Sequence, residues 1–171
     1  ILWAVFSSGI TNAGNSMVSN AQIIKKIYFP RLVIPISAIL VSVFDFLIAF
    51  FVFIVLTVFY EQAIDLSKAL ILWPSALIVT VIATFGPGCL LAALNVKYRD
   101  FRYVIPFLVQ ALLFLTPVIY PISILDNDWL KYALALNPMY AAISIFRAPM
   151  VGSGADVIMI GISLISGLLF F

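Results

Sequence analysis

The sequence predicts an all-α protein that crosses a bilayer several times, a polytopic transmembrane helix bundle. Three observations carry that reading. Hydrophobic residues make up 65% of the 171-residue chain and charged ones 9%, with a mean hydropathy of +1.23. A soluble domain holds roughly 45–50% apolar and about 25% charged residues. The apolar residues form continuous runs of helical length, without the two-residue alternation of a membrane β-barrel. The basic residues cluster between the runs, and the clusters obey a side. Lys25, Lys26 and Arg31 flank one run and Lys97, Arg99 and Arg102 another two spans later, together six of the nine Lys and Arg. The connections between them carry Glu61, Asp65 and Lys68, and later Asp126, Asp128, Lys131 and Arg147. Lys and Arg in short loops set the orientation of a membrane protein, so the 25–31 and 97–102 segments are expected on the cytoplasmic side.

A spanning helix needs about 20 mostly apolar residues, and the runs are justified in turn. Ile1 to about Ala13 reads as the cytoplasmic end of a span. Asn12, Asn15, Ser16, Ser19, Asn20 and Gln22 then read as the departure from hydrocarbon. From about Asn15 to Phe29, Met17, Ala21, Ile24 and Tyr28 repeat at i, i+4, i+7, i+11, which predicts an amphipathic helix. Pro30 and Pro35 punctuate the entry to the next span, about Leu32 to Tyr60, and 61–68 is a short outer loop. A third run, about Ala69 to Asn95, contains Gly86-Pro87-Gly88, an expected kink or break. Asn95 to Arg102 is the second cytoplasmic loop, and the fourth run covers about Tyr103 to Tyr120.

The outer stretch from Pro121 to Gly154 is too broken to span. Residues 126–136 read as a short helix with Trp129, Tyr132, Ala133 and Leu136 on one face. Asn137-Pro138 supplies an N-cap and a Pro at the first helical position of a second short helix, which Pro149 and Gly152-Ser153-Gly154 are expected to end. Two short aromatic helices there predict a re-entrant or interfacial hairpin. Ala155 to Phe171 begins a last span. Both ends of the sequence lie within apolar runs. The expectation is one transmembrane domain over 1–171, a fragment with about five spans or part-spans, lacking a span before Ile1.

Chemistry-bearing residues are few. Histidine is absent and Cys89 is the lone cysteine, which removes the commonest general base and any disulfide within the chain. No Gly-rich phosphate loop and no paired carboxylates on one face occur, so no catalytic residue and no metal site are assigned. If ATP is used, another chain binds it. The net charge of +2 gives no reason to expect nucleic acid. Asp45 is the one ionisable residue deep in a span. It reads either as a pathway or relay residue, or as a helix–helix hydrogen-bonding group with Ser42 at i−3. The 25–31 cluster reads as topology signal and headgroup contact, or as a docking segment for a cytoplasmic partner. Trp129, Tyr132 and Tyr140 read as an aromatic belt or as sugar-stacking groups.

Specific strings carry a resemblance. Asn15-Ser16-Met17-Val18-Ser19-Asn20, then Ile23-Ile24-Lys25-Lys26-Ile27-Tyr28-Phe29-Pro30-Arg31 and Pro35, resembles the first cytoplasmic loop of ABC type-2 polysaccharide export permeases. Asn95-Val96-Lys97-Tyr98-Arg99-Asp100 resembles the second such loop. Thr116-Pro117-Val118-Ile119-Tyr120-Pro121, Leu136-Asn137-Pro138 and Phe146-Arg147 resemble the outer region that follows.

The resemblance implies a permease subunit, not an enzyme, in the bacterial cytoplasmic membrane. It implies export of lipid-linked polysaccharide such as O-antigen, teichoic acid or capsule. Two permease chains would pair with two ATPase subunits that hold the ATP and Mg. Ile24, Lys25, Lys26, Tyr28, Phe29 and Arg31 would form the ATPase-coupling segment, and Lys97, Tyr98, Arg99 and Asp100 the second cytoplasmic contact. Tyr120, Trp129, Tyr132, Tyr140 and Arg147 would belong to the outer gate or contact sugar. The alternatives are a type-2 permease for a drug or another lipid, a membrane enzyme acting on lipid-linked sugars with Asp126 and Asp128 as its only acids, and a secondary transporter, which would show paired broken spans.

Overall fold

The structure, a computed structural model, describes residues 1–24, 26, 30–61, 64–98, 100–116, 128–151 and 157–169. Every regular element among them is helical. In order they are α1 (Leu2–Ser19), α2 (Ala21–Ile24), α3 (Val33–Phe59), α4 (Leu66–Lys97), α5 (Phe101–Leu115), α6 (Asp128–Ala135), α7 (Pro138–Val151) and α8 (Val157–Leu169). The expected all-α bundle is what forms.

Helices α3 and α4 are long and apolar enough to cross a membrane, at about 40 and 48 Å on a 1.5 Å rise against a hydrocarbon core of about 30 Å. The core helix of a soluble protein passes the same test of length, but it is mostly buried. Only 17% of the most apolar stretch of α3 is buried. Its exposed face reads Leu40, Phe44, Leu47, Phe51, Val55 and Val58, a continuous apolar stripe that water would not tolerate and lipid would.

The centre of the bundle is α1, not α3 or α4. Its buried face (Leu2, Val5, Phe6, Gly9, Ile10, Ala13, Gly14) lies against α3, α4 and α5. The α1–α4 contact is made of small residues. A Cβ at Gly9 would stand 2.6 Å from Thr84 Cγ2, and one at Gly88 would stand 3.2 Å from the Ala13 Cβ. Small residues let helix backbones approach closely where lipid offers no hydrophobic drive. The pairs Gly9–Thr84, Ala13–Gly88 and Gly14–Leu91 rise together, so α1 and α4 run parallel, with α3 antiparallel between them.

Two expectations need correction here. The Gly86-Pro87-Gly88 run does not break the third span: α4 is helical from Leu66 through Lys97 with Pro74 and Pro87 inside it. Both glycines are buried, and Gly88 serves close approach to α1 instead. The amphipathic helix expected from 15 to 29 is interrupted at Asn20, and residues 25 and 27–29 lie outside the described residues. Helix α1 continues past Asn15 to Ser19, and the Asn20 amide then donates to Ser16 O (2.8 Å), capturing a carbonyl of the last turn. One further turn, α2, follows with no buried residue.

The fourth run is shorter than expected. Helix α5 stops at Leu115, about 22 Å from its start, which is less than a full crossing. Helix α7 begins at that depth, because Asn137 Nδ2 donates to Thr116 Oγ1 (2.7 Å). It ends at the outer end of α4, where the Asp65 N–H donates to Pro149 O (3.3 Å). Pro149 lies inside α7 and does not end it, and 152–154 lie outside the described residues. Asn137 acts as the expected cap, its Oδ1 accepting from the Met139 N–H (3.0 Å). Met139, Ala142 and Ile143 of α7 enter the main core, so this helix is re-entrant and not interfacial. Phe50, Phe53, Trp73 and Phe146 form an aromatic box that ties α7 to α3 and α4, with ring centroids 5.2 to 6.3 Å apart. Helix α8 runs back along α7.

At the outer end the Asp65 carboxylate accepts from Ser67 Oγ (2.6 Å) and pairs with Lys68 Nζ at 2.9 Å. The Ser67 hydroxyl first, then Lys68, hold this exposed carboxyl at about 2. A depressed carboxyl contributes above its unfolded pKa and loses that contribution as pH falls through the folded one. Thermal melting of the full-length protein in detergent is therefore expected to show no step from Asp65 between about pH 5 and 8; a step removed by Asp65→Asn would contradict it.

Candidate functional site

The residues with a candidate role gather at one end of the bundle because of two amides. Asn95, in the last turn of α4, is buried. Its Nδ2 donates to Gly14 O (3.0 Å) and to Asn15 Oδ1 (3.1 Å) on α1. Asn15 Nδ2 in turn donates to Thr11 O (3.0 Å). A Cβ at Gly14 would lie 2.7 Å from Ile105 Cδ1, which brings in the first turns of α5. The carboxyl ends of α1 and α4 and the amino end of α5 therefore share one level. The segment after α1 and the loop after α4 leave the bundle side by side.

That end is basic and solvated. Lys26, Arg31, Lys97 and Arg102 are exposed, as is Asp100, and Ile24 at the close of α2 is half-buried. Lys97 Nζ lies 5.3 Å from the Tyr98 ring centroid, and Tyr98 leans on Phe101 at 6.1 Å. Among the described residues no ion pair neutralises these four cations. The arrangement presents positive charge and an aromatic edge to whatever lies beyond the membrane face. Lys25, Tyr28, Phe29 and Arg99 lie outside the described residues.

The described members of the expected outer group sit in different settings. Trp129 and Tyr132 on α6 are exposed, and Arg147 on α7 is half-buried. Tyr140 corrects its expected role. It is 3% exposed, packed with Ala135 and Met159, and its hydroxyl donates to Met159 Sδ at 3.3 Å. A ring held this way joins α7 to α8 and presents no face to sugar. Tyr140→Ala is expected to destabilise by about 3–5 kcal/mol, as other large aromatic truncations do. Tyr140→Phe should cost far less, and thermal unfolding in detergent distinguishes the two. Tyr120 lies outside the described residues.

Asp45 also departs from expectation. Ser42 Oγ lies 3.5 Å from Ala38 O and not on Asp45, and Asp45 is exposed at the edge of the lipid-type face of α3. The helix–helix bond to Ser42 is absent because Ser42 points into the α1 interface, where Gly9 leaves room for it. No described residue pairs with the carboxylate, so Asp45→Asn is expected to leave export and membrane level unchanged in the full-length protein. Lost export at normal protein level would restore the relay role.

Sequence reasoning missed the Asn15–Asn95 clasp. Each amide closes an apolar run, which looks like a chain leaving the membrane. Only the pairing of α1 with α4 reveals them as one unit.

Residues 1–151 match the family described as ABC-2 type transporter. The chain belongs to that family. This ABC-2 chain is 28% identical over 147 residues to the O-antigen export system permease protein RfbA of Myxococcus xanthus. It is 31% and 32% identical over 147 residues to two proteins of the same description from Klebsiella pneumoniae. The matches cover 85% of the ABC-2 chain and 55 to 56% of each relative, so the chain spans about half the length of the curated relatives it matches. Family and apolar helices together make it a membrane protein.

Proposed function

We propose that the whole protein is the permease subunit of an ATP-driven exporter that carries lipid-linked polysaccharide across the bacterial cytoplasmic membrane. It contributes no catalytic residue. A separate ATPase subunit, present in two copies against a permease homodimer, binds ATP and Mg. One observation supports this reading above the others: the amide clasp sets the ends of α1 and α4, with the exposed Lys26, Arg31, Lys97 and Arg102, at one basic end, where a cytoplasmic subunit can grip both. ATP-driven closure of that subunit displaces the two segments together. The displacement passes into α1 and α4, whose small-residue contact has no slack to absorb it. Helix α7, wedged between α4 and α8, carries it to the outer side. The printed names of the relatives favour O-antigen among polysaccharides.

The test uses the full-length permease with its ATPase in proteoliposomes. Lys25→Glu combined with Tyr28→Ala is expected to lower export at least tenfold per ATP hydrolysed, and to weaken capture of the ATPase. Unchanged coupling would remove the docking role. Absence of polymer export by the unaltered pair would remove the substrate class.

A further inference from the structure

Helix α1 carries a polar face that the bundle leaves open. Ser7, Ser8, Thr11, Asn12 and Ser19 occupy one side of it, with Asn12 and Ser19 exposed and the others half-buried. The stripe is not the solvated end of a helix. Gly9 lies against Ser42, about 14 Å along α3 from its inner end, so the stripe starts near mid-membrane and runs about 18 Å to the basic end.

Lipid is a poor neighbour for it. Ser8, Thr11 and Ser19 donate to the carbonyls of Ala4, Ser7 and Asn15 at 2.7 to 3.0 Å, which uses their protons and leaves their lone pairs open. No bond is made to the Asn12 amide among the described residues, and an unmet amide in hydrocarbon is costly. The same bundle shows what a lipid face looks like: on α3 the exposed stripe Leu40, Phe44, Leu47, Phe51 is apolar throughout, with Asp45 alone at its edge. Two exposed helix faces of opposite chemistry in one bundle have two different neighbours.

We propose that the α1 stripe lines the inner half of a water-filled passage, where its hydroxyls and amide exchange hydrogen bonds with the hydroxyls of the moving polymer. This rests on the export reading for the polymer, though not for the water. The stripe suits a sliding chain. Short donors and acceptors recur along it, no charge traps the substrate, and each hydroxyl has its own helix carbonyl to return to.

Spin labels at positions 8 and 12, and at 44 and 51 as lipid references, are placed in the full-length protein in lipid vesicles. The expected result is that a water-soluble nickel chelate reaches 8 and 12 better than oxygen does, with the opposite order at 44 and 51. Oxygen-dominated relaxation at 8 and 12, or access by neither reagent, overturns the passage. For the polymer contact, Ser8→Leu with Asn12→Leu is expected to lower export at least tenfold, while Ser8→Thr with Asn12→Gln retains it. Equal export by both pairs, at equal protein level, overturns that contact. The accessibility result stands whether or not the exported polymer is a polysaccharide, so the two readings fail separately.

Discussion

Gly9→Leu is expected to remove most folded protein from the membrane. The position has no room even for a methyl group, since its Cβ would stand 2.6 Å from Thr84 Cγ2 and 3.8 Å from Ser42 Oγ. Neither neighbour can yield easily. Thr84 is fully buried, β-branched, and tied through Oγ1 to Thr80 O at 2.6 Å. Ser42 is 1% exposed on the opposite helix. A leucine therefore pushes α1 away from α3 and α4 together. Overpacking a single site costs roughly 1–3 kcal/mol, and splitting two interfaces belongs at or above the top of that range. Gly9→Ala should cost about 1 kcal/mol, and Thr84→Ala should recover most of that loss because it removes the clashing methyl. Membrane yield and thermal unfolding in detergent give the numbers. A Gly9→Leu protein that matched the wild type would mean α1 does not sit in this groove.

How far the sequence revealed this bundle depended on what each helix faces. Helices α3 and α4 were legible because they meet lipid over much of their length, so the apolar run and the span coincide. Helix α1 was not. Its open face carries Ser8, Asn12 and Ser19, and an amide in an apolar run reads as an exit from the membrane. The same letters arise when a helix stays in the bundle beside something polar. The end of α5 was half legible: Pro117 signals a halt, yet the apolar letters run on to Tyr120, and Asn137 bonded to the Thr116 hydroxyl shows what meets the helix end. The Asn137-Pro138 start of α7 was plain, since a cap is a local event. Whether α7 lay on the membrane surface or inside the bundle was a tertiary matter, decided by Met139, Ala142 and Ile143 entering the core. Of the candidate site, the basic ends were visible from charge alone. What sets them side by side is a contact between residues 80 positions apart, and no local pattern reports that.

Asn95→Leu is expected to do little to stability and much to transport. Hydrogen bonds between membrane helices contribute about 0.6 kcal/mol on average and up to about 1.7. Leucine keeps the branch point of asparagine but is bulkier, so the fold should lose roughly 1–2 kcal/mol. The geometry loses more. Gly14 O and Asn15 Oδ1 lose their donor, and only packing such as Leu91 against Gly14 then holds the end of α4 to the end of α1. The two basic segments would then move independently, and a pull on one would no longer arrive at the other. Export per ATP hydrolysed should fall at least tenfold while the ATPase remains bound. Asn15→Leu removes one of the two bonds and leaves Asn95 on Gly14 O, so it should cost less than Asn95→Leu, and the double variant should be hardly worse than Asn95→Leu alone. That non-additivity distinguishes a shared positioning device from two separate packing defects. Export falling only in step with protein level, with additive losses in the double variant, would reduce Asn95 to an ordinary core residue.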